Sequence, residues 1–248
     1  MPTDCDAREA LRPFEDEGWI TEVLYEVKSG KEATVFCCRG GVLSPYPLVA
    51  AKVYRPLERR GFRNDAAYLE GRVHLARPGR ASRAVRKHTA FGREVQYGTW
   101  IAEEWETMQI LSEGGVTVPT PLRCGERAIL MRFLGDETAP APLLHEITPS
   151  PTRAATLVDQ VLRDVELMLD HDCVHGDLSP YNVIACEEQA VIIDFPQAVD
   201  PRLNRNACGL LARDIERMCQ WASRHGAERR AAEISARFWS RFVRGELG

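Results

Sequence analysis

The stretch His175-Gly176-Asp177-Leu178-Ser179-Pro180-Tyr181-Asn182, with Ile192-Ile193-Asp194-Phe195 after it, decides how the rest of the chain is read. Asp177 and Asn182 stand five residues apart, and Asp194 follows twelve later. Phosphoryl transfer asks little covalent help of a protein. It needs an oriented nucleophile, phosphate charge neutralised by metal, and the two held in line. One carboxylate to accept the attacking proton, with an amide and a second carboxylate as hard oxygen ligands for Mg²⁺, meets that need. Taken singly, each residue has a bland reading: an Asp–Asn pair is common turn chemistry, and a lone His is commonly a core residue. The ordered set is what carries the chemistry.

Working outward, the segment before this stretch begins with a helix cap, Ser150, and Pro151 in the first turn. Leu157, Val161, Val165 and Met168 then form one apolar stripe. Short apolar segments lie around Val174 and over 190–193. Residues 206–244 are helical in pattern, interrupted at Gly226, with Leu211, Ile215, Met218 and Ala222 on one stripe and Ile234, Phe238 and Phe242 on the next.

The first half reads differently. Residues 20–27, 33–38 and 48–54 form three short strands in an antiparallel meander, separated by Ser29-Gly30 and Gly40-Gly41. Residues 55–98 are charged and weakly periodic, a long, partly helical insertion; ten arginines fall between Arg55 and Arg93, which reads as a solvated face. Ile101, Trp105, Met108 and Leu111 mark one face of a helix over 99–112, ended by Gly114-Gly115. Residues 116–122 are extended, and 128–133 form a further strand.

Strands first and helices after predict an α+β chain of two lobes. The expected divisions are an N-terminal extension over 1–18, an N-lobe over 19–134, a proline-bearing hinge over 135–151, and a C-lobe over 152–248.

Lys52 is a lone charge in an apolar strand, and a buried ammonium needs a partner. Glu104, on the predicted helix, is the natural one, with Glu103 and Glu106 as rivals. The other reading of Lys52 is a gatekeeper on a sheet edge.

These parts match the spacing of the H-R-D-x-x-x-x-N and D-F-G motifs of protein-kinase-like enzymes. No G-x-G-x-x-G lies between the first two strands; Lys28-Ser29-Gly30-Lys31-Glu32-Ala33 stands there instead. That Ser-Gly-Lys-Glu-Ala phrase resembles the nucleotide loop of the RIO-type atypical kinases. Asp194-Phe195-Pro196-Gln197 resembles the family's D-F-P-Q, and Asp177-Leu178-Ser179 its D-L-S. Trp100 through Glu104, and Gly114-Gly115-Val116-Thr117-Val118-Pro119, resemble its main helix and the segment beyond. The resemblance covers roughly residues 19–225 and is closest in feel to bacterial members.

It implies a two-lobed kinase-like fold with a small antiparallel sheet and one main helix in the N-lobe and a mostly helical C-lobe. It further implies ATP with Mg²⁺ (or Mn²⁺) as cofactors. Asp177 would be the catalytic aspartate, Asn182 and Asp194 the metal ligands, and Lys52, paired with Glu104, a phosphate contact. Ser29 and Lys31 would lie near the phosphates, Met131 would line the adenine pocket, and backbone groups of Arg132 and Leu134 would hold the base. Ser179 would also touch the nucleotide site. Asp194 either binds metal alone or also accepts phosphate transiently.

The phosphate acceptor is expected to be a protein or a ribonucleoprotein. H-G-D-x-x-x-x-N also occurs in aminoglycoside and choline kinases, so a small-molecule phosphotransferase is the alternative, and a nucleotide-gated binding module a third reading.

The bulk numbers agree with a globular chain: 248 residues, 44% hydrophobic and 27% charged, a net charge of −4 and a pI near 5.9. No strongly basic nucleic-acid footprint appears in that average. Eight cysteines without C-x-x-C or zinc spacing read as scattered core thiols of a reducing compartment. Residues 1–15 are polar and acidic with no apolar signal core, and no apolar run reaches membrane length, so the expected location is the cytoplasm.

Overall fold

A computed structural model of the chain describes residues 4–55 and 90–247. It contains, in order, α1 (Asp4–Glu17), β1 (Ile20–Ser29), β2 (Ala33–Gly40), β3 (Leu48–Tyr54), α2 (Ala90–Glu113), β4 (Pro121–Cys124), β5 (Ala128–Arg132), a 3₁₀ turn (Leu144–Glu146), α3 (Pro151–Asp170), β6 (Val183–Cys186), β7 (Gln189–Ile192), α4 (Ala207–Arg224) and α5 (Ala231–Arg244). The described residues group into two compact units. One comprises 4–55, 90–106 and Pro119–Pro140; the other comprises Thr107–Val118 and 141–247. Most of the charged stretch 55–98 lies outside the described residues; its last part opens α2, which starts nine residues before the periodicity at 99–112 suggests.

The first unit is built on an antiparallel sheet in the order β1-β2-β3-β5-β4. β3 is central and wholly apolar but for Lys52, which pairs in register with Val35 on one side and Ile129 on the other. Alternation along β3 sends Val49, Ala51 and Val53 to one face and Ala50 and Lys52 to the other. α1 covers the Val49 face, where Ala10, Leu11 and Phe14 join Ile20, Cys38, Ala128 and Leu130 in one core.

Residues 1–15 read as a polar extension, yet this helix is docked. Its polar composition hides four apolar positions, Ala7, Ala10, Leu11 and Phe14, at the three-and-four spacing of a single stripe, and all are buried. Burying Leu11 and Phe14 contributes about 1.5–3 kcal/mol each relative to exposure.

In the second unit, α3 begins as its sequence implies. The Ser150 Oγ accepts the Arg153 N–H at 3.3 Å, and Pro151 occupies the first turn. Leu157, Val161, Val165 and Met168 are each at most 4% exposed. The end of α2 belongs to this unit, and Gly115 takes φ +79°, the left-handed conformation that closes a helix. Gln160 of α3 bridges neighbouring segments: its amide nitrogen donates to Thr117 Oγ1 and to the Ala190 carbonyl, and its oxygen accepts the Ala190 N–H.

β6 and β7 form a hairpin with Val183 opposite Ile192. β6, too short for periodicity to reveal, was not expected. Val174 lies instead in an isolated bridge with Val199. The stripes predicted for 206–244 are seated, with Leu211, Ile215, Met218, Ala222 and Phe238 buried. Cys37, Cys38, Cys124, Cys173, Cys186, Cys208 and Cys219 are free thiols; Cys37, Cys38, Cys173 and Cys219 are core residues, but Cys208 is exposed, which corrects the reading of the thiols as interior.

Candidate active site

The loop of residues 175–182 is held by its own backbone and by α4. The Asn182 N–H donates to the Ser179 carbonyl at 2.9 Å, closing a turn. The Asn182 side-chain amide donates to the Asp177 carbonyl at 3.0 Å, and the Asn182 carbonyl accepts the Ile193 N–H at 3.0 Å. One residue thus ties the Asp177 segment to the segment that carries Asp194. The amide nitrogen of Asn182 is committed to Asp177, so its oxygen, the hard atom a cation takes, is the end left for a ligand.

Asp194 is exposed and sits at φ +73°, a conformation rare for a residue with a Cβ and one that recurs where function over-determines the backbone. Its neighbour Phe195 is 2% exposed, and its ring lies 5.2 Å from that of His175.

His175 organises the same two segments from below. The Asp177 N–H donates to its Nδ1 at 3.3 Å, which leaves Nε2 to carry the proton and donate to the Ile193 carbonyl at 3.1 Å. Burial lowers the pKa of His175, and its contacts suit the neutral ring. Gly176 has φ +78°, and a Cβ there would lie 2.4 Å from the Gln197 carbonyl oxygen, so only glycine fits.

Sequence reading missed the support from α4. Asp214, 1% exposed, accepts the Gly176 N–H at 2.8 Å and the Leu178 N–H at 3.1 Å. Burial pushes its carboxyl up to about 7, against the pull of the Gly176 N–H, of Arg213, of the Leu178 N–H and of Arg217. Arg213 donates to the Gly176 carbonyl, and Arg217 Nη1 donates to Asp177 Oδ1 at 2.9 Å. The signal available in the sequence was spacing alone: Asp214 stands three residues after Leu211 and four before Met218, a charge in register with apolar positions.

In the first unit Lys52, 9% exposed, donates from Nζ to Glu104 Oε1 at 2.5 Å. The Tyr54 hydroxyl donates to Glu104 Oε2 at 2.5 Å. Glu104 is 4% exposed, whereas Glu106 is exposed and Glu103 half-buried, so the choice among the three carboxylates is settled by burial. The edge-gatekeeper reading of Lys52 fails because β3 is central.

Ser29, Gly30 and Lys31 lie exposed at the β1–β2 turn, with Ser29 Oγ within 3.2 Å of Thr34 Oγ1 and accepting from Arg55 at 2.6 Å. Met131 packs with Ala50, Cys37 and Phe133 on the Lys52 face of the sheet. The Arg132 N–H is taken by the Thr120 carbonyl at 2.8 Å, so any contact of Arg132 with a base falls to its carbonyl. Leu134 is buried, and Ser179 is half-buried beside Asn182.

No cluster of three or more His, Cys, Asp or Glu poised for a metal occurs among the described residues. The donor set that is present, Asn182 with Asp194, is of the kind Mg²⁺ uses when substrate phosphates and water complete its shell.

An antiparallel sheet with a buried Lys–Glu pair, followed by a mostly helical unit carrying this Asp–Asn–Asp set, defines the protein-kinase-like class. The family model described as the RIO domain matches residues 25–235. A RIO-type serine/threonine-protein kinase Rio1 of Haloferax volcanii is 30% identical over 220 residues, covering 88% of this chain and 69% of that protein. Its namesake in Methanocaldococcus jannaschii is 29% identical over 208 residues, covering 83% of this chain and 64% of that protein. The chain spans 34% of the human serine/threonine-protein kinase RIO1, at 27% identity. Among solved structures, a Rio2 kinase–ADP/Mg²⁺–phosphoaspartate complex from Chaetomium thermophilum covers 98% of this chain with a TM-score of 0.62 and 20% identity, and that chain is 76% covered. The chain belongs to the RIO family of atypical kinases.

Proposed function

We propose that the chain uses ATP with Mg²⁺ to transfer the γ-phosphoryl group, as a RIO-type serine/threonine kinase, an ATPase, or both. The observation that supports the reading is the double tie of Asn182, to the Asp177 carbonyl and to the Ile193 N–H, which joins the segment of Asp177 to that of Asp194. Asp177 would accept the proton of the attacking hydroxyl or orient a water. Asn182 and Asp194 would hold Mg²⁺ (or Mn²⁺), which when bound would neutralise phosphate charge. Lys52, held by Glu104, would contact the phosphates, with Ser29 and Lys31 near them. Met131, the Arg132 carbonyl and the Leu134 backbone would receive adenine, and Ser179 would reach the nucleotide from the catalytic loop. The acceptor is a protein or ribonucleoprotein, and the site of action is the cytoplasm. ATP turnover with Mg²⁺, with EDTA, and in Asp177→Ala tests this; full turnover in EDTA or in the variant would overturn it.

A second reading concerns Asp194 itself. Phe195 is followed by only a short segment before α4, and that segment is tied back by paired backbone bonds between Val174 and Val199, which leaves little platform for a peptide. The similarity to a chain solved with a phosphoaspartate also favours it. In this reading an Asp194 oxygen attacks the γ-phosphorus, the bond to ADP breaks, and an acyl phosphate forms. Water oriented by Asp177 then hydrolyses it, returning the carboxylate and releasing phosphate. Label from ATP that is lost in hydroxylamine and accumulates in Asp177→Asn would support this; label that survives hydroxylamine would refute it.

A further inference from the structure

We propose that Arg217 is a positioning residue for Asp177: it fixes the rotamer of that carboxylate by occupying Oδ1 and so leaves Oδ2 as the oxygen that meets the nucleophile. The inference rests on the reading of Asp177 as the catalytic aspartate.

Three residues on one side of α4 reach the loop before Ser179. Arg213 takes the Gly176 carbonyl, Asp214 takes the Gly176 and Leu178 N–H groups, and Arg217 takes the Asp177 side chain. The first two hold backbone, and they would hold it whatever side chain stood at 177. The third alone touches the reacting group, so scaffolding of the loop does not account for it.

Stability does not account for it either. The Arg217 and Asp177 side chains are 37% and 52% exposed, and the bond uses a single nitrogen at 2.9 Å. An exposed, monodentate pair of this kind adds little to folding. Among the described residues Arg217 is the one partner of the Asp177 carboxylate.

An exposed aspartate side chain otherwise samples several staggered rotamers, only one of which aims an oxygen at a given point. Holding one rotamer before the nucleophile arrives acts on the rate of the step, because misplacement of a reacting group by about 1 Å can cost a hundredfold. It does not act on nucleotide affinity, since Asp177 is not among the phosphate contacts assigned above. Electrostatics fits the same role: Asp214, one turn earlier on the helix, stands between two arginines, so the second arginine is not needed to balance it alone and can be committed to the loop.

The test is a set of three variants assayed for ATP turnover with Mg²⁺ and for thermal unfolding. Arg217→Met removes the guanidinium and keeps the apolar stem. Arg217→Lys keeps a cation and a donor, which suffices for a bond made by one nitrogen. Asp177→Ala reports on the underlying reading. The expected result for Arg217→Met is a fall in kcat of about tenfold, with KM for ATP within twofold and Tm unchanged within about two degrees. Arg217→Lys should recover kcat to within about threefold of the parent chain. If Arg217→Met keeps full kcat while Asp177→Ala is inactive, the positioning role is refuted and the catalytic reading stands. A loss expressed in KM, or one matched by a large fall in Tm, refutes positioning in favour of nucleotide binding or structure. If Asp177→Ala turns over normally, the reading of Asp177 fails and the role of Arg217 fails with it.

Discussion

Asp214→Asn probes the clamp under the loop of residues 175–182. The carboxyl is 1% exposed, and burial carries it from an ordinary value near 3.8 up to about 7. A group whose folded value is raised holds its proton more tightly in the native state. Its stability contribution is therefore fully present below about 3.8 and is lost as pH rises through about 7. The whole displacement is worth about 4 kcal/mol, of which roughly 2 to 3 kcal/mol is lost between pH 5 and 8.

Asparagine has the same shape and does not titrate. It can accept one of the two N–H bonds at 2.8 and 3.1 Å but must face the other with its own amide, a loss of about 1–3 kcal/mol at every pH. Other groups titrate in the same window. His175, with its lowered value, contributes in the opposite sense, losing stability as pH falls. The informative quantity is thus the difference between parent and variant, measured by urea unfolding at pH 5, 6, 7 and 8. The difference should move in favour of Asp214→Asn by roughly 2 to 3 kcal/mol from pH 5 to 8. Parallel curves, agreeing within about 0.5 kcal/mol across that range, would refute the claim that Asp214 is held near neutrality by burial.

Lys52→Ala should both slow turnover and destabilise the first unit by about 3–5 kcal/mol, because it strands the Glu104 carboxylate with only part of its partners. Adding Glu104→Gln should restore most of the stability but not the rate; recovery of kcat in the double variant would remove Lys52 from the phosphate site. Leu11→Ala should cost about 2–5 kcal/mol by opening a cavity under α1, read as a lowered Tm, and a cost below about 0.5 kcal/mol would mean that α1 is not seated on the sheet. Gly176→Ala should abolish turnover while an exposed control, Gly209→Ala, is tolerated, since a Cβ meets the Gln197 carbonyl at the first and open space at the second; normal activity in Gly176→Ala would contradict the loop geometry.

Much of this protein was legible in its chain order. Alternation placed β1, short apolar runs bounded by turn residues placed β2, β3 and β5, and stripes of period three to four placed α3, α4 and α5, because the need to keep apolar surface dry is written in neighbouring residues. Ser150 and Pro151 marked the start of α3 by local backbone chemistry alone. The spacing of Asp177 and Asn182 has a local cause, since the Asn182 side-chain amide reaches back only five positions to the Asp177 carbonyl. Period tells which face is buried but not what covers it. That α1 lies on the Val49 face of the sheet was decided by tertiary packing, as was the choice of Glu104 over Glu103 and Glu106, pairs separated by some fifty residues. The same holds for α4. Asp214 and Arg217 look like two charges on an amphipathic helix until the fold brings them to residues 36 to 40 positions earlier, where burial makes one a clamp on the backbone and proximity makes the other a partner of Asp177. Such contacts depend on the register between distant elements, and that register is set only when the core closes.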